Sequence, residues 1–573
     1  MTRRFDVWAP SAGSVELAMG AARHAMRRAG GGWWTAGIDA PDGLLRYGYL
    51  LDGDGPFPDP RSPSQPDGVH GLSETVDHAA FSWTDGAWRP PALATGVFYE
   101  LHIGTFSPEG TFDAATRYLS HFVELGVTHL ELLPVAEFSG DRGWGYDGVD
   151  LWAPHHAYGG PDGLKRLVDA CHAMGLAVVL DVVYNHFGPE GNHVTRFGPY
   201  LTDRYRTPWG EAINLDGPGS DEVRRFVIDN ARMWLRDYHV DGLRLDAVHA
   251  ITDGSAMHIL EELARSVAGL ASEVGRELVL IAESDLNDPR LVHSWAVGGY
   301  GLDAHWADDV HHALHAAITG EQGGYYADFA DFAVLQRALR DGYVFQGEHS
   351  AVRDRRHGRP PEGVAPSQLI ASLQNHDQVG NRARGDRLAT NVPLPRVIVG
   401  ITLLLTAPFV PLLFAGEEWG TSSSFAYFSG HAAAELADAV RAGRRAEFAQ
   451  FGWEPESIPD PQDPATYEGA RLRWEERDLP RHAKLLRVYR ELLSLRRELG
   501  LSGPARNEVE VDAERRTLLI RRGPVAVAAN LGRAAWRVDL AGTLRFASDA
   551  SVAHDGKRLS LPSDTVGIVV ANS

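Results

Sequence analysis

The chain has 573 residues, 44% hydrophobic and 23% charged, which is the balance of a globular protein with sizeable cores and excludes a disordered or fibrous one. A formal charge of −21 repels phosphate backbones and anionic lipid, so neither nucleic acid nor membrane is expected as a main partner and a neutral substrate fits better. The single cysteine, Cys171, permits no intrachain disulfide, and the start Met1-Thr-Arg-Arg has no apolar signal region, so a monomeric cytoplasmic chain is expected.

Residues 1–90 carry short alternating runs, such as 5–8 and 15–19, broken by Gly, Pro and Asp clusters such as 53–66; this predicts an N-terminal β-sandwich. Strand-like apolar runs follow at 97–103, 129–134, 177–184, 242–247, 278–283, 302–306, 369–375 and 410–414. Helical periods separate most of them, at 114–125, 161–174, 220–237, 254–274 and 393–405. Nearly continuous apolar runs suit parallel strands covered on both faces, and eight units in series predict an α/β fold, a (β/α)8 TIM barrel over 91–500 with loop insertions. An open doubly wound sheet is the alternative, but no Gly-rich phosphate loop follows the first strand. Cys171, inside the helical stretch 163–175, reads as a small core residue. The uncharged run 397–416 is long enough to span a bilayer, yet Pro408 and Pro411 divide it, so a buried helix feeding a buried strand is expected. Alternation returns at 509–511, 518–520, 525–528 and 568–570 and predicts a C-terminal β domain over 501–573.

Barrel chemistry sits at the carboxyl ends of the strands. The third strand ends Asp181-Val-Val-Tyr-Asn-His186, and the fourth reads Asp241-Gly-Leu-Arg-Leu-Asp-Ala-Val-His249. Arg244 and Asp246 are two apart and share a strand face. The Arg keeps the carboxylate ionised and fixes it, as a nucleophile or electrostatic stabiliser requires; a structural ion pair is the plainer reading. Glu283 follows five apolar residues, where desolvation raises its pKa and suits a proton donor. The seventh strand ends in His376-Asp377, which alone reads equally as a cap or a loop ion pair. Two carboxylates of unequal pKa on facing strands are what glycosidic cleavage needs. There is no His-x-His after the first strand and no His-Glu-x-x-His, so metal hydrolysis is the weaker reading, and no metal or cofactor follows from the residues.

At 181–186, 242–249, 281–284 and 374–377 the chain resembles, in order, the four signature regions of the α-amylase family of retaining glycoside hydrolases. The resemblance implies Asp246 as nucleophile, Glu283 as general acid/base and Asp377 as transition-state stabiliser. It also places Arg244, His186 and His376 along the same subsite, with Tyr146 of Trp144-Gly-Tyr-Asp-Gly148 as the stacking platform for the scissile glucose. Trp152 and Tyr158 read as packing residues. Asn185 occupies a position that is a calcium ligand in some amylases, but no further ligands accompany it.

A closer resemblance, from about residue 5 to about 500, is to the family of malto-oligosyltrehalose trehalohydrolases. It rests on the motifs at 99–112, 142–148, 241–251, 280–289, 308–312, 414–419, 444–453 and 461–463. It implies a carbohydrate-module-like N-terminal sandwich and hydrolysis of the α-1,4 bond beside the terminal trehalose of malto-oligosyltrehalose, a neutral α-glucan. His249 stands where α-amylases usually carry Lys. With Asp308, Asp309, His311 and His312, beyond the sixth strand, it is expected near trehalose; helix capping by Asp308 and solvated histidines are the plain alternative. Glycogen branching or debranching enzymes share the triad and are the competing enzymes. A non-catalytic glucan-binding protein is the third reading, against which three intact carboxylates stand. A retaining outcome expects the two carboxyl groups ~5–5.5 Å apart.

Overall fold

A computed structural model of the chain describes residues 2–40, 43–449 and 458–572. Eight parallel strands close into a barrel: β1 (Phe98–Leu101), β2 (His129–Leu132), β3 (Ala177–Val182), β4 (Gly242–Leu245), β5 (Val279–Ala282), β6 (Ala304–Trp306), β7 (Leu369–Ser372) and β8 (Val410–Phe414). Each pairs in parallel with the next, and Leu412 of β8 registers with Phe98 of β1 to close the ring. All eight predicted strands are present; β8 has the predicted bounds 410–414, and the other seven are shorter than the apolar runs. In β4 and β5 the last residues of the run leave the ladder to face the mouth: Asp246 N still donates to Val182 O and Glu283 N to Leu245 O, one rung beyond the paired strands.

Flanking helices include α1 (Leu119–Leu125), α2 (Gly160–Ala173), α3 (Ser220–Asp237), α4 (Ile259–Val274), α5 (Asp308–Thr319), α6 (Leu394–Thr406) and α7 (Pro480–Glu498). α3 has the predicted bounds. α4 starts five residues later than expected, because Asp253 accepts from Ser255 N and Ile259 N and His258 caps Leu260 N, which holds 252–258 as a loop. Cys171 is buried in α2. The uncharged run divides, as expected, into α6 and β8; among the described residues no helix is long and apolar enough to cross a membrane.

Inside the barrel a lower apolar layer (Phe98, Val179, Val279, Ile281, Ile370, Val410, Leu412) supports a charged upper one. Antiparallel sheets flank the barrel in sequence on both sides. At the N-terminus Thr2–Trp8 pairs with Trp33–Asp39, and Val15–Met19 with Arg46–Leu51. Trp8 packs edge-on against Tyr200, and a Cβ on Gly198 would sit 2.6 Å from the Trp8 ring, so this sheet buttresses the loop after β3. At the C-terminus Thr517–Arg522, Val525–Asn530 and Thr565–Val570 form the centre of a five-stranded sheet.

The segment between the N-terminal sheets and β1 is tied to the barrel through Asp241. Its carboxylate accepts from Trp88 Nε1 (2.8 Å), His172 Nε2 (3.0 Å) and Val178 N (2.9 Å), and Asp85 holds the other nitrogen of His172 (2.8 Å). Burial opposes the His172 charge, but Asp241 and Asp85 raise its pKa, so the cluster is a buried ion triad. Breaking such a cluster leaves buried charge uncompensated. Asp241→Ala is therefore expected to lower the unfolding free energy by about 3–5 kcal/mol, measured by urea denaturation; a change within ~0.5 kcal/mol, the range of ordinary surface substitutions, would contradict this.

Candidate active site

The charged layer at the barrel mouth is organised by Arg244 on β4, whose side chain is fully buried. Its Nη1 donates to Asp181 Oδ2 (2.8 Å) and to Asp246 Oδ1 (2.7 Å), and its Nη2 lies 3.8 Å from Glu283 Oε2. The guanidinium sits over the Trp306 ring at 4.4 Å, which fixes its plane. Asn185 Nδ2 reaches the other oxygen of Asp246 (2.8 Å). Both Asp246 oxygens are thus held, and the carboxylate has one orientation. The Asn185 amide is itself fixed, since its Oδ1 is bonded to His186 Nδ1.

Glu283 ends β5 as its sequence predicts. Burial pushes its carboxyl well above the usual range; Arg244 opposes this, and Asp246, Asp308 and Asp377 add to it. Ala247 N donates to Glu283 Oε2 at 2.6 Å. To aim that N–H, Ala247 adopts φ 40°, a left-handed conformation costly for a residue with a side chain. The strain falls one residue after Asp246.

A second chain of bonds runs around the rim. Gly145 has φ 101°, and a Cβ there would lie 2.2 Å from Pro134 O, so only glycine lets the chain turn Tyr146 into the site. The Tyr146 hydroxyl donates to Asp181 Oδ2 (2.6 Å), meets His376 Nε2 (2.7 Å), and its ring stacks on His376 at 5.2 Å. His376 Nδ1 and its backbone N both bond Glu100 (2.6 and 2.8 Å). Burial disfavours a charged His376, but Glu100 and then Asp377 outweigh it and raise the pKa to about 9. Asp181 is pushed up to about 6, by burial above all, with Arg244 opposing. Asp377 is 42% exposed at the mouth, with Asn381 Nδ2 at 3.2 Å.

The raised His376 pKa carries a stability prediction. Its folded value of about 9 lies above the ordinary 6.5, so the Glu100–His376 contribution is complete below about pH 6.5 and is lost as pH rises through about 9. The deficit in unfolding free energy of Glu100→Gln against wild type is expected to be largest at the acid end of that window and to shrink towards pH 9. A deficit that grows with pH would show the assignment to be wrong.

The remaining predicted residues divide. His249 is exposed on the turn Val248–Ala250. It lies near Asp285, which Arg353 (3.0 Å) and, further off, His249 hold below its ordinary pKa against burial. Asp308 faces the same space as Glu283 and Asp377: burial, then Asp285 and Asp377, push its carboxyl up to about 7. It makes no capping bond at the start of α5, so the capping alternative does not hold. Asp309 is not brought to the cleft. Its Oδ2 accepts from Asn287 Nδ2 (2.7 Å), Val344 N (2.7 Å) and Phe345 N (3.1 Å), because a residue one step along a helix points about 100° away. His311 is likewise turned into the wall, bonded to Leu373 O (2.9 Å) and Tyr326 OH (3.2 Å). His312 is buried beside Tyr325 and Phe329, so these histidines are not solvated either. Tyr158 is buried and Trp152 half-buried against Phe226, both in packing positions. Of the stretch 444–453, residues 450–453 lie outside the described residues; Arg444 lies over Tyr427 and donates to Gly380 O.

Glu100 and Asp181 were missed as site residues, although a carboxylate interrupting an apolar strand is a visible signal, and Asn185 was singled out only as a position that is a calcium ligand in some amylases. Arg353 and Trp209 had none. Trp209, 50% exposed in the hairpin Leu201–Thr207 and Gly210–Ile213, stacks on His186 at 4.7 Å. Among the described residues, Glu137, His155 and His156 form the one group with metal-like spacing. His155 bonds Gly140 O and Ala157 N through its two ring nitrogens, and His156 Nδ1 bonds Glu137.

Residues 62–206 match the family model described as alpha amylase, catalytic domain. The chain is 53% identical over 532 residues to malto-oligosyltrehalose trehalohydrolase of Arthrobacter ramosus, covering 92% of each chain. It is 50% identical over 573 residues to that of Rhizobium sp. (strain M-11), covering 98% of this chain and 96% of the relative. A crystal structure of a putative alpha amylase from Salmonella typhimurium superposes with a TM-score of 0.90 at 38% identity, covering 99% and 97% of the two chains. With the barrel, the paired carboxylates and near full-length identity of this order, the chain belongs to the malto-oligosyltrehalose trehalohydrolase family.

Proposed function

We propose that the protein is a retaining glycoside hydrolase that cleaves the α-1,4-glucosidic bond next to the terminal trehalose of malto-oligosyltrehalose, releasing trehalose and a malto-oligosaccharide. The observation that carries the chemistry is the pairing of Asp246 with Glu283 around one guanidinium: one carboxylate is ion-paired through a charged hydrogen bond at 2.7 Å, the other is buried and held towards its protonated form. In this reading Glu283 protonates the leaving trehalose oxygen while Asp246 attacks the anomeric carbon. The glycosyl ester then forms, and Glu283, now ionised, takes a proton from the water that hydrolyses it. Asp377 binds hydroxyls of the distorted sugar, and Arg244, His186, His376 and Tyr146 build that subsite. His249, Asp308 and the Asp285–Arg353 pair face the trehalose side, where a non-reducing disaccharide offers hydroxyls in place of a reducing end.

The 1–90, 91–500 and 501–573 division into sandwich, barrel and C-terminal domain belongs to the same proposal, as does a monomer working in the cytoplasm on a neutral glucan, without nucleic acid. Support comes from the negative charge and from a lone, buried cysteine. The selectivity test compares kcat/KM for maltotriosyltrehalose with that for maltopentaose. A preference of at least about tenfold, roughly 1.4 kcal/mol, is expected from the trehalose contacts; equal values, or branching or debranching of amylopectin as the main activity, would reject the proposal.

A further inference from the structure

Beneath the catalytic carboxylates the barrel holds a glutamate that no step above uses. Glu131 on β2 registers with Glu100 on β1, and neighbouring residues in register point to the same side of a sheet. Glu100 faces the interior to bond His376, so Glu131 faces the interior too. Both of its carboxyl oxygens are buried without a hydrogen-bond partner in the protein, as are Asp181 Oδ1, Arg244 Nε and Nη2, and Trp306 Nε1.

These residues face the interior of the same closed barrel. Glu131 registers with Val179 on β3, two residues below Asp181; Asp181 registers with Arg244 on β4, which lies over Trp306 on β6. Arg244 Nη2 is turned towards Glu283, which leaves Arg244 Nε as an unpartnered donor, with Glu131 Oε1 and Oε2 and Asp181 Oδ1 as unpartnered acceptors, inside a closed ring of strands. Buried polar atoms are nearly always bonded, and where several converge without direct contact, enclosed water joins them.

We propose that Glu131 is a positioning residue: through enclosed water it ties Arg244 and Asp181 from below and so fixes the guanidinium against which Asp246 and Glu283 are set. The charge balance agrees. The groups facing Glu131 are Glu100 from β1, Asp181 from β3, Arg244 from β4 and His376 from the end of β7. Burial and then Glu100 hold its carboxyl well above the usual range against Arg244. A neutral acid has one O–H to give and oxygens to accept, and it leaves the Arg244 charge to Asp181 and Asp246. A further anion below would compete for that charge. The role in turnover rests on the hydrolytic reading above; the protonation of Glu131 does not.

The test uses full-length Glu131→Gln and Glu131→Leu. Gln keeps shape, neutrality and hydrogen bonding, so kcat on maltotriosyltrehalose is expected within about threefold of wild type, with the pH profile unmoved. Leu severs the tie, and kcat is expected to fall on the order of 10²-fold with KM little changed and the fold retained by circular dichroism. Wild-type kcat in Glu131→Leu, or an equal loss or a shifted pH profile in Glu131→Gln, overturns the positioning role. Should Leu not fold, the Gln kinetics and difference infrared spectroscopy at neutral pH decide. A carboxylic-acid C=O band present in wild type and absent in Gln is expected, and its absence from wild type overturns the neutral acid. If wild type releases no trehalose, the hydrolytic reading fails while the infrared result stands separately.

Discussion

Glu283→Gln is expected to lower kcat on maltotriosyltrehalose by about 10²–10⁴-fold, while α-maltosyl fluoride gives a burst of fluoride followed by slow turnover. The structure supplies the reason. Burial favours the protonated Glu283 carboxyl, and the Ala247 N–H fixes one carboxyl oxygen. A trehalose oxygen is a poor leaving group and needs that proton. Fluoride leaves without it, so the glycosyl ester on Asp246 still forms quickly, and only its hydrolysis suffers from the missing base. Asp246→Asn removes the nucleophile itself and is expected to cost on the order of 10⁴-fold or more on both substrates, with no burst. A burst in Asp246→Asn, or equal losses on the two substrates in Glu283→Gln, would mean the roles are wrongly assigned.

Arg244 carries the second large effect. Its Nη1 bonds Asp181 and Asp246 at once, its Nη2 lies towards Glu283, and its plane rests on Trp306. An ammonium is a point charge on a flexible stem and cannot reproduce that fork. Arg244→Lys is expected to lower kcat by about 10²–10³-fold. Arg244→Met should lose stability as well, by about 3–5 kcal/mol, because Asp181 and Asp246 are left buried without a counter-charge. Measured melting and kinetics separate the two costs. A Lys variant with more than half of wild-type activity would show that charge alone suffices and that the fork geometry is dispensable.

The barrel was legible because nearly continuous apolar runs such as 177–183 suit strands covered on both faces, and because polar residues end them where a mouth must be. Asp246, Glu283 and His376 were readable on the same ground. What failed to show was anything decided by rotation about a helix or by the path of a long loop. The run 308–312 reads as one acidic, His-rich patch, yet it divides on folding: Asp308 faces Asp285 and Asp377, while the helical turn carries Asp309 onto the backbone of 344–345 and His311 onto Leu373. Arg353 comes from the loop between β6 and β7, where no periodicity fixes the chain, and it meets Asp285 only through folding. Trp209 reaches His186 because a hairpin folds back over the mouth, and the N-terminal sheet packs on the loop that leads to it through Trp8 and Tyr200. Glu100 and Glu131 were visible as charges within apolar strands, but their opposite situations, one bonded to His376 and one without a protein partner, depend on the closed barrel.

The most direct test of double displacement with trehalose as leaving group is a proton NMR time course of the wild-type enzyme with maltotriosyltrehalose, followed through the anomeric signals. Free trehalose is expected together with maltotriose that appears first as its α-anomer and mutarotates afterwards. Maltotriose appearing first as the β-anomer would contradict double displacement at Asp246, and products without trehalose would contradict the assigned bond.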